Sequence, residues 1–215
     1  RQRADHSFES MNVAWGISDD AAQNWDVLAA DFDNDGDRDV YIVTGGFLTA
    51  EPNRLLRNDL AVTGKFTDVT AIAGAAGHVS LAFGGTTLDF DRDGDLDVFF
   101  TNNARLDGYG GCRLLRNDGD LYFTDVSVEA GVDIPGDYRH CTAGDVNNDG
   151  WPDLGVGAMN QPNLLLINDG DGTFTESATA AGLGHMAPHF GLVIDDFDND
   201  GWMDVFLPKY QSEPS

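Results

Sequence analysis

The chain has 215 residues, with 12 Lys plus Arg against 37 Asp plus Glu and a formal charge of −25. That charge excludes nucleic acid and anionic membrane surfaces as partners, and a hydrophobic content of 41% excludes a disordered acidic tail. No apolar run approaches the ~18 residues of a membrane span, so no membrane insertion is expected; the excess acid must be tolerated by a folded structure, most simply through bound cations.

The chain opens at Arg1 with no Met and no signal-like apolar stretch, and reads as a mature or truncated product. Phe8 is the first of four markers: Phe8, Phe66, Phe123 and Phe174 precede an acidic loop by 23, 23, 22 and 22 residues. The first loop, DFDNDGDRD, covers Asp31–Asp39 and runs directly into Val40-Tyr41-Ile42-Val43, a β-branched and aromatic run of strand length. NRLLRND from Asn53 and FTDVT from Phe66 follow, then a small-residue step at Ala73–Gly74. The second unit repeats the order: DFDRDGDLD (Asp89–Asp97), Val98-Phe99-Phe100, CRLLRNDGD from Cys112, FTDVS from Phe123 and Ala130–Gly131. The third has DVNNDGWPD (Asp145–Asp153), NLLLINDGD from Asn163, FTESA from Phe174 and Ala181–Gly182; the fourth has DFDNDGWMD (Asp196–Asp204).

The loop starts lie 58, 56 and 51 residues apart. Between them the apolar runs are short, punctuated by Gly, Asn and Asp, and free of any sustained 3.6-residue period. This pattern predicts an all-β fold of β-propeller blades, each of about four antiparallel strands, since one blade cannot bury both faces of its sheet without neighbours. The whole of 1–215 is read as a single repeat domain with units 8–65, 66–122, 123–173 and 174–215. Pro214 falls where Pro162 sits in the third unit, just before an N-x-L-L strand that does not follow. The last blade is therefore expected to be incomplete: a fragment of a larger propeller, or a blade completed by end strands or by another chain.

Each loop places Asp or Asn at positions 1, 3, 5 and 9, turning four side chains toward one point, with Gly at position 6 for the tight turn and a backbone carbonyl offered at position 7. An all-oxygen set suits calcium, one ion per loop and four in all; with no Cys or His in any loop zinc is excluded, and magnesium is disfavoured by its strict octahedron. An EF-hand is also excluded, because position 12 holds Ile42, Phe100, Val156 and Leu207 where that motif needs Glu. Asn147 lowers the charge of the third loop and should weaken it. The alternative reading is a set of acidic turns that hold no metal.

These loops and phrases resemble the FG-GAP or VCBS class of calcium-binding propeller repeats, to which the integrin α-subunit head is related. The N-x-L-L-x-N-D-G, F-T-D-V-T and A-G phrases are most similar to those of the cartilage acidic protein and UnbV group. The resemblance spans about Phe8 to Tyr210. It implies a structural calcium ion held by loop positions 1, 3, 5, 7 and 9. In this chain those are Asp31, Asp33, Asp35, Asp37 and Asp39; Asp89, Asp91, Asp93, Asp95 and Asp97; Asp145, Asn147, Asp149, Trp151 and Asp153; and Asp196, Asp198, Asp200, Trp202 and Asp204. Propellers of this family usually have more than four blades, which bears on closure.

Calcium loops of this type usually work outside the cell, so an extracellular or cell-surface location is expected, and with it a disulfide between Cys112 and Cys141; the alternative is two buried thiols. His78 and His185 stand 11 residues before their loops, and Phe83 and Phe190 six before, which marks them as repeat consensus with structural roles. Arg139, His140 and His189 show no such match and are candidates for a binding surface. Trp15, Trp25, Trp151 and Trp202 are read as blade packing and loop cover, with sugar stacking as the alternative. No nucleophile elbow, phosphate loop or zinc motif is present. The sequence thus predicts a non-catalytic module for structure, adhesion or interaction with a protein or polysaccharide surface or with another copy of itself; the alternative is a calcium-dependent polysaccharide lyase or hydrolase.

Overall fold

In a computed structural model, residues 1–17, 23–45, 50–77, 79, 81–103, 111–159, 161–186 and 188–209 are described. His78 and Pro214 lie outside them. The first sheet holds β1 (Asn24–Ala30), β2 (Asp39–Thr44), β3 (Arg54–Asp59) and β4 (Lys65–Asp68), in chain order. After a short helix α1 (Thr70–Ala73), the second holds β5 (Ala82–Leu88), β6 (Asp97–Asn102), β7 (Arg113–Asn117) and β8 (Phe123–Asp125). The third holds β9 (Tyr138–Gly144), β10 (Asp153–Ala158), β11 (Leu164–Asn168) and β12 (Phe174–Glu176). Every neighbouring pair is antiparallel. These are propeller blades. Among the described residues, β13 (Val193–Asp195) and β14 (Asp204–Phe206) form a fourth sheet of two strands.

The sheets are offset from the units 8–65, 66–122, 123–173 and 174–215. Each F-T-D or F-T-E segment folds back on the N-x-L-L-x-N-D strand just before it, so Asn58 pairs with Phe66, Asn117 with Phe123 and Asn168 with Phe174. The marker strand is therefore the fourth strand of the preceding sheet, because a short hairpin closes more readily than a distant pairing.

Strand alternation builds the core between sheets. Val98 and Phe100 pack toward the first sheet, with Tyr41, Val43, Leu55 and Leu115, whereas Phe99 between them packs toward the third, with Leu114, Leu154, Val156 and Leu166. Side chains of opposite parity on one strand thus serve two interfaces, and the middle sheet is buried on both faces. Among the described residues the fourth sheet has no such cover on its far side. Phe206, Phe197 and Trp202 are more than half exposed.

The N-terminal segment belongs to the same repeat. Phe8 to Gly16 is the same step of eight residues as Phe66 to Gly74, Phe123 to Gly131 and Phe174 to Gly182. All four glycines adopt φ of 69° to 79°. That left-handed turn is open to Gly at no steric cost. The turn docks as the one at Gly131 does: the Phe66 N–H donates to the Trp15 carbonyl at 2.8 Å, as Phe174 N–H does to Ala130 at 3.0 Å. Phe8 itself, in an isolated bridge with Gln2, is 78% exposed.

The expected disulfide is not formed. Cys112 and Cys141 are buried free thiols in the core between the second and third sheets. Cys141 Sγ sits 3.9 Å from the Phe99 carbonyl, turned to the backbone of the neighbouring sheet. Burial pushes the Cys112 thiol up to about 12, which suppresses the reactive thiolate. A thiol-reactive dye added without reductant should therefore label neither cysteine in the folded protein and both after denaturation.

Candidate metal centre

Each acidic loop joins the first two strands of a sheet and has one backbone design. Position 4 is left-handed in every loop: Asn34, Arg92, Asn148 and Asn199 have φ of 57° to 62°. Position 6 follows with Gly36, Gly94, Gly150 and Gly201 at 95°, 97°, 89° and 90°. These two reversals curl the chain around the position-1 carboxylate. Asp31 accepts N–H bonds from Asp35 and Gly36, Asp145 from Asp149 and Gly150, and Asp196 from Asp200 and Gly201, all between 2.8 and 3.1 Å. In the second loop Gly94 donates to Asp89 at 3.2 Å.

Positions 1, 3 and 9 converge. Ligand oxygens of Asp31, Asp33 and Asp39, of Asp89, Asp91 and Asp97, and of Asp196, Asp198 and Asp204 each lie within 4.8 Å of one another. In the first two loops Oδ1 of Asp33, Asp37, Asp89 and Asp91 is buried with no hydrogen-bond donor. Carboxylates this close repel one another unless a cation or protons intervene, so the donor set fits a hard cation.

Other expected ligands are placed differently. Position 5 turns back to the loop: Asp35, Asp93, Asp149 and Asp200 accept the position-7 N–H at 2.8 to 3.0 Å. At position 7, Asp95 accepts the Asn34 amide at 2.6 Å, and Trp151 lies under the Arg92 guanidinium, 5.1 Å from the ring centroid. Position 7 of the fourth loop is Trp202, whose side chain faces solvent. In the third loop Asn147 bonds Asp149 through both its amide atoms, leaving Asp145 and Asp153 as the carboxylates at the two ends.

The position-9 carboxylate ties the loop to its sheet. Asp39 accepts the N–H groups of Phe32 and Asn58, Asp97 those of Phe90 and Asn117, and Asp153 those of Val146 and Asn168, at 2.8 to 3.1 Å. The asparagine is on the third strand, and its side chain does a second job. Asn117 Nδ2 donates to the Phe32 carbonyl in the loop of the sheet before, and Asn168 Nδ2 to Phe90, both at 2.8 Å. A second loop-to-loop contact runs from Asn148 Nδ2 to the Gly201 carbonyl at 2.9 Å. The role of these asparagines was missed in the sequence, although their recurrence at one place in N-x-L-L-x-N-D was visible.

The binding-surface candidates are corrected. Arg139 has matched partners after all: it stands six residues before its loop, as do Trp25, Phe83 and Phe190. It is buried, stacks 3.9 Å from the Phe83 centroid and pairs with Asp137 at 2.5 Å. His189 is buried too, its Nδ1 3.1 Å from Asn163 Oδ1 and its ring against that of His185. Trp15 packs on Phe66 and Trp25 on Phe83. His140 is the one of the three that stays half-buried, beside a cleft with Trp25 and Asp26.

A fold of four-stranded blades with an acidic loop at each first turn defines a class, the FG-GAP-like repeat. The family model matches residues 31–100, 89–156 and 145–207, and the chain belongs to this family. Among named relatives, it is similar to Cartilage acidic protein 1 of Homo sapiens, 28% identical over 198 residues, and of Mus musculus, 29% identical over 196. Each match covers 83% of this chain but only 29% and 30% of the relative's length.

Two outcomes follow from this geometry. Burial pushes the Asp97 carboxyl up to about 8 and that of Asp39 up to about 6, against the opposing pull of the N–H groups they accept. Their folded values lie above the ordinary 3.8, so the folded state binds more protons and its stability falls as pH rises from about 4 to 8. The chelator-treated protein should therefore melt at higher temperature at pH 5 than at pH 8. Separately, Asn117→Ala strips the Phe32 carbonyl of its buried donor and should cost about 1–3 kcal/mol in denaturant unfolding.

Proposed function

We propose that this chain is an extracellular calcium-binding repeat module in which calcium is a structural ion, and whose blades present a surface to a protein or polysaccharide partner or to another copy. The observation that carries the reading is the convergence of three carboxylates in the first, second and fourth loops, with buried oxygens that no donor satisfies in the first two. Calcium takes six to eight oxygen ligands at about 2.3–2.6 Å. Asp31, Asp33 and Asp39, with Asp35 and the position-7 carbonyl, would supply such a shell in the first loop, and their equivalents in the second and fourth. The third loop, with Asn147, would bind more weakly. A structural role is favoured because the position-9 carboxylates also accept one backbone N–H from their own loop and one from the third strand. An ion there reinforces the joint between loop and sheet and offsets the crowding of acid.

The partner surface is supported by a difference between blades. Leu121 is buried in the core between the first and second sheets, but Gly172 stands at the same place in the next N-D-G-D turn. The second interface correspondingly holds a cleft of about 650 Å³ lined by Trp151, Arg116, Glu129, Asp171 and Thr173.

Calorimetric titration of chelated protein with calcium should show several sites, and the melting temperature should rise with calcium, each occupied site adding about 2.7 kcal/mol of stability by mass action at a hundredfold excess over Kd. Asp91→Ala should remove one site, and Asn147→Asp should tighten the weakest. A melting temperature indifferent to calcium and chelator would overturn the proposal.

A further inference from the structure

The two interfaces between four-stranded sheets share one set of walls. In the first, Leu121 is buried in a cluster with Phe32, Val69 and Phe123. Their counterparts in the second, Phe90, Val126 and Phe174, also pack together, with the rings of Phe90 and Phe174 stacked at 6.2 Å. The plug is what differs. Gly172 stands where Leu121 would and, its chain neighbours aside, no atom lies within 4 Å of the place a Cβ would take. The cleft of about 650 Å³ opens at this point. Covering such a slot removes apolar surface from water, which favours association.

The rim of the cleft is acidic. Asp125, Glu129 and Asp171 are exposed around the opening. Thr173 donates its hydroxyl and its N–H to Asp171 and holds that carboxyl below the usual carboxylate range. Among the described lining residues Arg116 alone is basic, and it is bonded to Asp118 at 2.7 Å. Glu129 replaces Ile72 of the first interface, and Trp151 replaces Asp95. Trp151 adds an aromatic wall that already takes one guanidinium, that of Arg92.

We infer that this cleft docks a segment of a partner protein in which a leucine-sized apolar side chain is flanked by arginine or lysine. The apolar side chain takes the slot beside Phe90, Val126 and Phe174, as Leu121 does in its own interface, and the flanking cations meet Asp125, Glu129 and Asp171. An acidic polysaccharide is repelled by the same rim, and a neutral one leaves its charge unmatched. The inference deepens the partner-surface half of the proposed function and rests on it; it uses no loop carboxylate and stands apart from the calcium half.

The probe is an end-blocked peptide, Gly-Arg-Leu-Arg-Gly, titrated into the isotope-labelled full chain with calcium in about 0.15 M salt, where general attraction to the acidic chain is screened. Amide resonances should shift at Gly170, Gly172 and Thr173, and so should the Trp151 indole. Alanine in place of the peptide's leucine should weaken binding about tenfold. Gly172→Leu should fill the slot and abolish the shifts; because Gly172 has φ of 91°, its folding is checked by melting. Glu129→Lys, an exposed change that leaves the turn alone, should weaken binding about fivefold. Unmoved cleft amides, equal affinity of the alanine peptide, or full affinity in Glu129→Lys or in a folded Gly172→Leu protein would overturn the inference. If an oligosaccharide moves these amides and the peptide does not, the inference falls while the proposed partner surface stands.

Discussion

The structure depends on one carboxylate per blade, the aspartate that closes each acidic loop. Asp97 shows the arrangement most fully. It is wholly buried, accepts one N–H from its own loop and another from the third strand, and stands within reach of two further carboxylates. An ionised group so placed is costly to bury unless its charge is matched. Two backbone donors supply part of that match, and the rest would fall to a proton or a cation. The fold and the candidate site are thus one construction, in which the carboxylate that finishes the loop is also the side chain that aligns the sheet.

Blades are joined by two different interactions. Between sheets, side chains of alternating parity form dry layers, with Phe99 on one side and Val98 and Phe100 on the other. Along the loop edge, polar links run between neighbours only, as from Asn34 to Asp95, Asn148 to Gly201 and Asn117 to Phe32. This is the nearest-neighbour pattern of repeat proteins, where stability is a sum of units and interfaces. It explains why the second and third sheets are the best buried, and why the two-stranded sheet and the Phe8 segment at the ends expose apolar groups that their counterparts hide.

Much of this was legible in the sequence because the repeat is local. Four loops in step with phenylalanine and N-x-L-L markers specify strand number, order and the converging acids, since hairpins join neighbours and the loop glycines allow only a tight turn. What was not legible required knowing who sits beside whom. The phase of the blades depends on hairpin closure between Asn58 and Phe66, which the spacing of loops alone does not reveal. The buried place of Arg139 depends on Phe83 in the next sheet. The thiols of Cys112 and Cys141 share a core layer yet stay apart because Cys141 is turned to Phe99. The glycine turn at Gly16 was hidden because Trp15 stands where Ala73, Ala130 and Ala181 precede the other glycines, although its spacing from Phe8 matched the rest.

The asparagine links also carry a direction in time. The Phe32 carbonyl waits for an amide 85 residues further along the chain, and the Phe90 carbonyl for one 78 residues further. During synthesis a sheet and its hairpins can pair as soon as they emerge, but its loop is not latched until the third strand of the following sheet has been made. Assembly therefore proceeds one way, each new blade completing the one before it, and the youngest blade is always the one still waiting for its latch.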